Sequence, residues 1–411
     1  MTKVSASLLK IKINSMTLSD DFWTFIRTHR HDDVCRLRLK YSSANDELLD
    51  FAITQIEARQ KVGSKLPLWQ GNEFLLFPSA LSVEQSSSEE TAQYKSQIIN
   101  GLYPTVCDLT GGLGIDSYYF SKNAERVTYI ERFSAYCDAA RHNFCQLNSP
   151  NITIIQNDCR EYLRQNHPHH SLYYIDPARR GDGNRRVYNL ADCEPDIAEI
   201  LPIVQAEGAD LLVKASPMLD ITQTLREYPS ISNVYIVSVK NECKELLFRV
   251  KPQTFEGMPS SIECVNIVND TIQYFTFTIL EENSAIPSFV TEDIGKYLYE
   301  PNSSLMKAGA YRIISSKYDV DKLGVNTHLY TSDAYIEAFP GRVFKVLEMT
   351  SYSKQELKNC ARKYPCANIS CRNFPLSVDE IRKQSKIKDG GDIYIFMTTI
   401  GSKKSIIVCR K

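Results

Sequence analysis

Apolar residues recur at helical spacing through the first 85 positions and then change rhythm. Phe22, Phe25, Ile26 and Val34 mark one face within 20–40, and Leu48, Leu49, Ala52, Ile53 and Ile56 mark another within 45–62, so this region reads as mostly helical. Ser86, Ser87 and Ser88 then offer N-caps, with Glu89 and Glu90 as capping-box partners, for a helix through Ile99. From Thr105 short apolar runs alternate with helical segments. TVCDL leads into a helix over 114–124, RVTYIE into 134–147, ITIIQ into 159–165, LYYID through a polar loop into 194–206, and DLLVKA into 218–227, before NVYIVSV. Strand and helix in turn predict a doubly wound α/β fold, a parallel sheet with helices on both faces. The extended runs 262–268 and 271–280, with Asn269 and Asp270 as the turn, predict an antiparallel edge.

Residues 283–338 are less regular, with a helical candidate around 303–316. The pattern then sharpens: a strand over 342–348, a helix opened by Ser353 and Glu356, a strand over 367–374, a helix opened by Ser377 and Glu380, and strands over 392–400 and 404–410 across Gly401. This is a βαβαββ unit. The expected organisation is an N-terminal helical region (1–85), an α/β domain (86–282), a small connector subdomain (283–338) and a small α/β domain (339–411), in keeping with 411 residues.

Charge separates these parts. The chain has a net charge of −1, but residues 341–411 hold 15 Lys plus Arg against 6 Asp plus Glu, a net of +9, leaving 33 against 43, or −10, for residues 1–340. A compact unit with that excess attracts polyanions. The opening MTKVSASLLKIKIN lacks the apolar segment of a signal peptide, and no stretch approaches the ~18 uncharged residues of a membrane helix, so a cytoplasmic protein with no membrane partner is expected. Cys107, Cys264 and Cys409 sit inside apolar runs and read as buried, reduced thiols. Cys360, Cys366 and Cys371 lack the close pairs of a zinc site, so no metal is expected.

The candidate chemistry begins at VCDLTGGLGIDSYYF, residues 106–120: an apolar run, an acid, a glycine turn and the start of a helix. Backbone N–H groups of such a turn face the crevice at the sheet's carboxyl edge. The G-x-G-x-x-G fingerprint of a pyrophosphate site is missing, which argues against a nicotinamide dinucleotide. The motif is D-x-T-G-G-x-G, with a second acid, Glu131, closing the next strand and a third, Asp158, following the strand after that. Three acids at successive strand ends suit a ligand bearing an ammonium, a ribose diol and an adenine amine. In this spacing residues 86–280 resemble the class I S-adenosylmethionine-dependent methyltransferases, which have a Rossmann-like sheet. The resemblance implies S-adenosylmethionine as cofactor, with Asp108 near its ammonium, Gly112 and Gly114 where it approaches the backbone, Glu131 on the ribose hydroxyls and Asp158 near the adenine amine. Thr110 stands where the family's first glycine does.

A wider resemblance rests on EQSSSEETAQYK before that motif, DPARRGDGNRRVYNLADCEPDI at the fourth strand, and GRVFKVLE with NISCRNFPLSVDEIRKQSKIKDGGDIYIF at the end. Together these are similar to a bacterial family of methyltransferases with a C-terminal THUMP-like domain. THUMP domains bind RNA, so the resemblance implies an RNA substrate.

In this fold the reacting atom sits beside the fourth strand's end, here Asp176, Pro177, Ala178 and Arg179. An adenine amino-methyltransferase has D-P-P followed by an aromatic residue. That ring is absent, leaving the guanidinium of Arg179 to stack on a base. Carbon methylation of pyrimidines needs a cysteine nucleophile, and Ala215 and Ser216 stand where the thiol would. Ribose 2′-O-methyltransferases use a Lys-Asp-Lys-Glu set in which a lysine of depressed pKa removes the hydroxyl proton. Lys95, Asp176, Lys214 and Glu242 or Glu245 follow that order. Arg179, Arg180, Arg185 and Arg186 in the loop beyond suit phosphate contacts. The expectation is an RNA methyltransferase acting on a ribose hydroxyl or a base amino nitrogen. The alternatives are a small-molecule methyltransferase and a non-catalytic RNA-binding protein with a relict cofactor fold.

Overall fold

The computed structural model describes residues 18–44, 46–165, 168–179, 190, 193–252, 261–269, 271–291 and 293–411. The chain divides into two compact units, one of residues 1–233 and 244–257, the other of 234–243 and 258–411. No helix among the described residues is long and apolar enough to cross a membrane.

In the first unit, the stretch read as one helical face over 20–40 is two helices, Asp20–Thr28 and Val34–Lys40. They break because the Asp33 carboxylate takes the Arg36 N–H (2.9 Å) and starts a new helix. The helix Glu47–Val62 follows, and Phe22, Trp23, Ile26, Phe51, Ile53 and Ile56 bury the shared face. Ser88 caps Glu89–Ile99 as expected, accepting from the Thr91 N–H (3.3 Å). Glu89 does not close the box. Its carboxylate accepts instead from the Leu68 and Trp69 amides (2.8 and 3.2 Å).

The sheet of this unit holds β1 (Thr105–Asp108), β2 (Arg126–Glu131), β3 (Ile152–Gln156) and β4 (Leu172–Ile175). A short ladder of β5 (Ala178–Arg179) and β6 (Cys193–Glu194) precedes β7 (Asp210–Ala215). Beyond β8 (Ile231–Val239) comes β9 (Glu242–Val250), and the order across this sheet is β9-β7-β4-β1-β2-β3. β1 to β4 and β7 are parallel and β9 is antiparallel to β7. The helices Ile115–Phe120, Ser134–Gln146, Cys159–Arg164, Ile197–Ala206 and Ile221–Glu227 alternate with them. Because all five strands run the same way, the acids closing them gather at one edge.

In the second unit β10 (Ser261–Val268) and β11 (Thr271–Thr278) form the expected hairpin, with Asn269 at φ +46°. The stretch read as an irregular connector contributes β12 (Tyr297–Pro301), β13 (Asp321–Gly324) and β14 (Thr327–Ser332), as well as helices Ser303–Ala308 and Ile313–Tyr318. They join β15 (Gly341–Ser351), β16 (Asn368–Arg372), β17 (Ile393–Ile400) and β18 (Lys403–Arg410) in a sheet ordered β13-β14-β12-β15-β18-β17-β16. The βαβαββ reading matches β15 to β18 with helices Lys354–Lys363 and Val378–Ser385, capped by Ser353 and Ser377. The Glu300 carboxylate, nearly buried, is held by Arg342 and Arg372.

One part of the first unit is assembled without a ladder. The extended backbone at Leu76 and Phe77 is served by side-chain amides. Asn143 accepts from the Leu76 N–H and donates to its carbonyl (both 2.7 Å), and Gln55 does the same for Phe77 (2.8 and 2.9 Å). Both amides are fully buried, so truncation strands two backbone groups. Asn143→Ala is expected to lower unfolding stability by about 1–3 kcal/mol, measured as a fall in urea midpoint at unchanged slope.

Candidate functional site

A cavity of about 740 Å³ opens at the carboxyl edge of this sheet, lined by Thr110–Asp116, Glu131–Phe133, Asp158–Arg160, Asp176–Ala178 and Lys214–Pro217, with Ser82, Ser86, Ser87 and Lys244. Six of the sequence-predicted cofactor residues reach it: Thr110, Gly112, Gly114, Glu131, Asp158 and Asp176. Asp108 does not.

Asp108 is 1% exposed and faces inward under the turn, where it accepts from the Thr110 N–H (3.1 Å) and the Ser117 hydroxyl (2.6 Å). Burial pushes its carboxyl up to about 7, against the help of those two donors. The turn's amides also point into the fold. Gly111 N–H donates to the Ile130 carbonyl, Gly112 N–H to Glu131 Oε2 (3.1 Å) and Gly114 N–H to the Gly111 carbonyl. Packing explains two of the glycines. A Cβ on Gly111 would lie 2.2 Å from the Tyr129 ring, and one on Gly114, at φ +88°, 2.8 Å from Phe144. The absent side chain at Gly114 thus makes room for Phe144, while its backbone borders the cavity.

Glu131 has one oxygen on Gly112 N–H and the other on Phe133 N–H (2.9 Å), which fixes the carboxylate at the cavity wall beside the half-exposed Phe133 ring. Asp158 caps Cys159–Arg164 through the Arg160 N–H (2.9 Å). The Arg160 guanidinium hydrogen-bonds it and holds it below the usual carboxylate range. Arg160 also pairs with Glu194 (3.0 Å).

The four residues ordered as a Lys-Asp-Lys-Glu set form two pairs of different kinds. Lys95 is fully buried, and its ammonium donates to Glu245 (2.8 Å) and the Ser87 hydroxyl (2.9 Å) and lies 3.1 Å from Asp116 Oδ1. Neither Lys95 nor Glu245 lines the cavity, so the four residues do not gather around it. Lys214 and Asp176 do line it, 2.5 Å apart. The sequence reading asked for a lysine of depressed pKa, and Lys214 goes the other way. Burial pulls its ammonium down, but the carboxylates of Asp176, Glu245 and Asp116 together hold it above the ordinary lysine value. Asp176 is joined to the first turn by its own N–H, which donates to Thr110 Oγ1 (2.7 Å). A threonine in place of a glycine thus ties β1 to the end of β4.

Sequence reasoning missed Asp116. It follows the glycine turn on Ile115–Phe120, lines the cavity and accepts on Oδ2 from Ser87 and Tyr174 (both 2.8 Å). Burial opposes its charge, yet Lys95 and Lys214 hold it below the usual carboxylate range. Its signal in the sequence was an acid in the first turn of a short helix, Ile115–Phe120, in which it is the one charged residue. Glu242 was the other candidate for the fourth position and, at the start of β9, is exposed. Pro177 lines the cavity, and Arg179 pairs through its backbone with Cys193. Arg180, Arg185 and Arg186 lie outside the described residues.

Compared with known proteins, residues 297–340 match a ferredoxin-like domain family and residues 341–411 a THUMP domain-like family. The crystal structure of a Porphyromonas gingivalis W83 protein described as a methyltransferase is 37% identical, with 95% of this chain and 97% of that one covered at a TM-score of 0.86. A Mycobacterium tuberculosis H37Rv protein described as an S-adenosylmethionine-dependent methyltransferase is 21% identical over 91% of this chain and 99% of its own length. A Mycoplasma mobile protein described as an RNA methyltransferase is 35% identical over 86 residues, 21% of this chain and 23% of its own.

Asp108 gives this site a pH signature. Between the ordinary carboxylate value, 3.8, and about 7 the folded chain keeps a proton that the unfolded chain releases. This group's stabilising contribution is therefore fully present at acid pH and lost as pH rises through about 7. Asp108→Asn keeps the shape and removes the titration. Relative to the wild type, the variant is expected to gain stability between pH 5 and pH 8, by on the order of 2 kcal/mol, measured by urea unfolding at both pH values.

Proposed function

Because the chain belongs to the family of S-adenosylmethionine-dependent methyltransferases that carry a C-terminal THUMP-like domain, we propose that it methylates RNA, at a nitrogen of a base, beside Asp176 and Lys214. The cavity suits the cofactor: a Cβ on Gly112 would meet only the Thr110 carbonyl, at 3.7 Å, so that stretch of wall is bare backbone. Glu131 has lone pairs to spare for a ribose diol, with Phe133 beside it, and Asp158 stands on the next segment for an adenine amine. When bound, S-adenosylmethionine supplies an activated methyl group.

RNA as substrate is supported by the THUMP domain-like match, by the net +9 of residues 341–411 and by the partial likeness to the Mycoplasma protein. The arginines at 179, 180, 185 and 186 add cations next to Asp176 in the sequence.

The observation that carries the choice of a nitrogen is the 2.5 Å pairing of Lys214 with Asp176. A ribose hydroxyl must give up its proton as it attacks, and a lysine of the expected set can take that proton only when it is itself neutral. Lys95 is sealed away from the cavity, and Lys214 is held charged by three carboxylates. A base nitrogen needs less. Its lone pair forms the new N–C bond as the C–S bond breaks with its electrons left on sulfur, and the N–H proton then passes to Asp176 or to water. Lys214 keeps the Asp176 carboxylate aimed, and the Asp176 Oδ1 and the Pro177 carbonyl are acceptors for the hydrogens of an amino group.

The test is transfer of tritiated methyl groups to total bacterial RNA by the full-length protein, followed by nucleoside analysis. Label is expected in an N-methylated base, with Asp176→Asn and Lys214→Met slowing transfer by roughly 100-fold or more at unchanged melting temperature. Label in a 2′-O-methyl nucleoside overturns the nitrogen assignment. Label confined to a small-molecule extract, with no response to salt, overturns RNA as substrate.

A further inference from the structure

The motif acid and the cavity acid of the first turn are different residues. Asp108 has both carboxylate oxygens committed to Thr110 and Ser117 and does not reach the cavity. Asp116, eight positions later, lines it.

We propose that Asp116, and not Asp108, receives the α-ammonium of the methionine portion of S-adenosylmethionine. The inference rests on the cofactor reading above and is independent of the RNA assignment. Three observations carry it. First, Asp116 is anchored as a ligand group is, with Oδ2 fixed by the hydroxyls of Ser87 and Tyr174 and its residue 9% exposed, on the cavity side. Second, Oδ1 is buried and has no hydrogen-bond partner, since Lys95 lies 3.1 Å away but out of line. The ion pair with Lys95 thus holds Oδ1 without completing its hydrogen bonding. Third, charge is left over. In the sealed cluster one ammonium, Lys95, faces two carboxylates, Asp116 and Glu245, whereas Lys214 and Asp176 balance each other. One negative charge therefore remains among these five groups, and of the two carboxylates on Lys95 only Asp116 borders the cavity. A cation standing against Asp116 from the cavity side restores neutrality.

The arrangement also gives Ser87 a purpose. Its hydroxyl donates to Asp116 and accepts from Lys95, so it relays position from the buried ammonium to the cavity carboxylate. Ser87 itself lines the cavity, on the segment leading into Glu89–Ile99.

The test compares two thioethers by calorimetric titration of the full-length protein. S-adenosylhomocysteine carries the amino-acid group, and 5′-methylthioadenosine keeps the adenosine and sulfur without it. Asp116→Asn is expected to weaken S-adenosylhomocysteine by roughly 10- to 100-fold and to change 5′-methylthioadenosine by less than about threefold. Asp108→Asn is expected to leave the ratio of the two affinities as in the wild type. Equal loss of both ligands in Asp116→Asn, no loss of either, or a selective loss in Asp108→Asn instead overturns the proposal. Asp116→Asn leaves Lys95 paired one-to-one with Glu245, and circular dichroism checks that it folds. If it does not, Ser87→Ala serves in its place, with a loss of severalfold for S-adenosylhomocysteine alone as the supporting result and equal loss of both as the overturning one. A wild-type protein that binds neither thioether overturns the cofactor reading as well.

Discussion

Lys95 is an ammonium with no exposed surface, and the wall of the cavity is built around supplying it with partners. Taking such a group out of water costs several kcal/mol or more unless carboxylates and hydroxyls replace the lost hydration. Here they come from three stretches far apart in the chain: Ser87 before the helix Glu89–Ile99, Asp116 after the glycine turn, and Glu245 on β9, 150 positions from the lysine. Removing any one leaves a buried charge short of a partner, so the three stretches are held in one arrangement. This favours a single geometry over extra stability, since a well-packed apolar group in place of the pair is often neutral or better.

Much of the fold was legible because it rests on local rules. Strand and helix alternated as their apolar periods required, and Ser88, Ser353 and Ser377 cap the helices assigned to them. β9 was not legible. Its first half, Glu242 to Glu245, carries charge at three of four positions, and its hairpin turns on Lys240 and Asn241, both at positive φ, where the expected turn residue is glycine. The strands β12 to β14 were hidden for a related reason, being short and broken by polar residues.

The site was legible in its outline and not in its wiring. Glu131, Asp158 and Asp176 fall at the cavity because strand ends in a parallel sheet share an edge, which the sequence shows directly. Which way a carboxylate turns at that edge depends on donors brought from elsewhere. Asp108 is drawn inward by a serine nine residues on, and Asp116 is drawn to the cavity side of a lysine cluster that only the folded chain assembles. Spacing along the chain carries no record of either.

The glycine turn shows how one motif can serve two ends. Gly111 and Gly114 are required by Tyr129 and Phe144, aromatic residues of β2 and of the helix Ser134–Gln146, whose rings fill the space that side chains on the turn would occupy. The Tyr129 hydroxyl then donates to the Gly112 carbonyl (2.5 Å), so the ring that excludes a side chain also holds the turn's backbone. A ligand approaching this turn meets a surface shaped from behind by packing, with the amides of Gly111, Gly112 and Gly114 already spent on the fold and on Glu131. Recognition at such a surface falls to the carboxylates around it. On the proposed cofactor reading, the turn sets how closely a ligand can lie, while Glu131, Asp158 and Asp116 select which ligand stays.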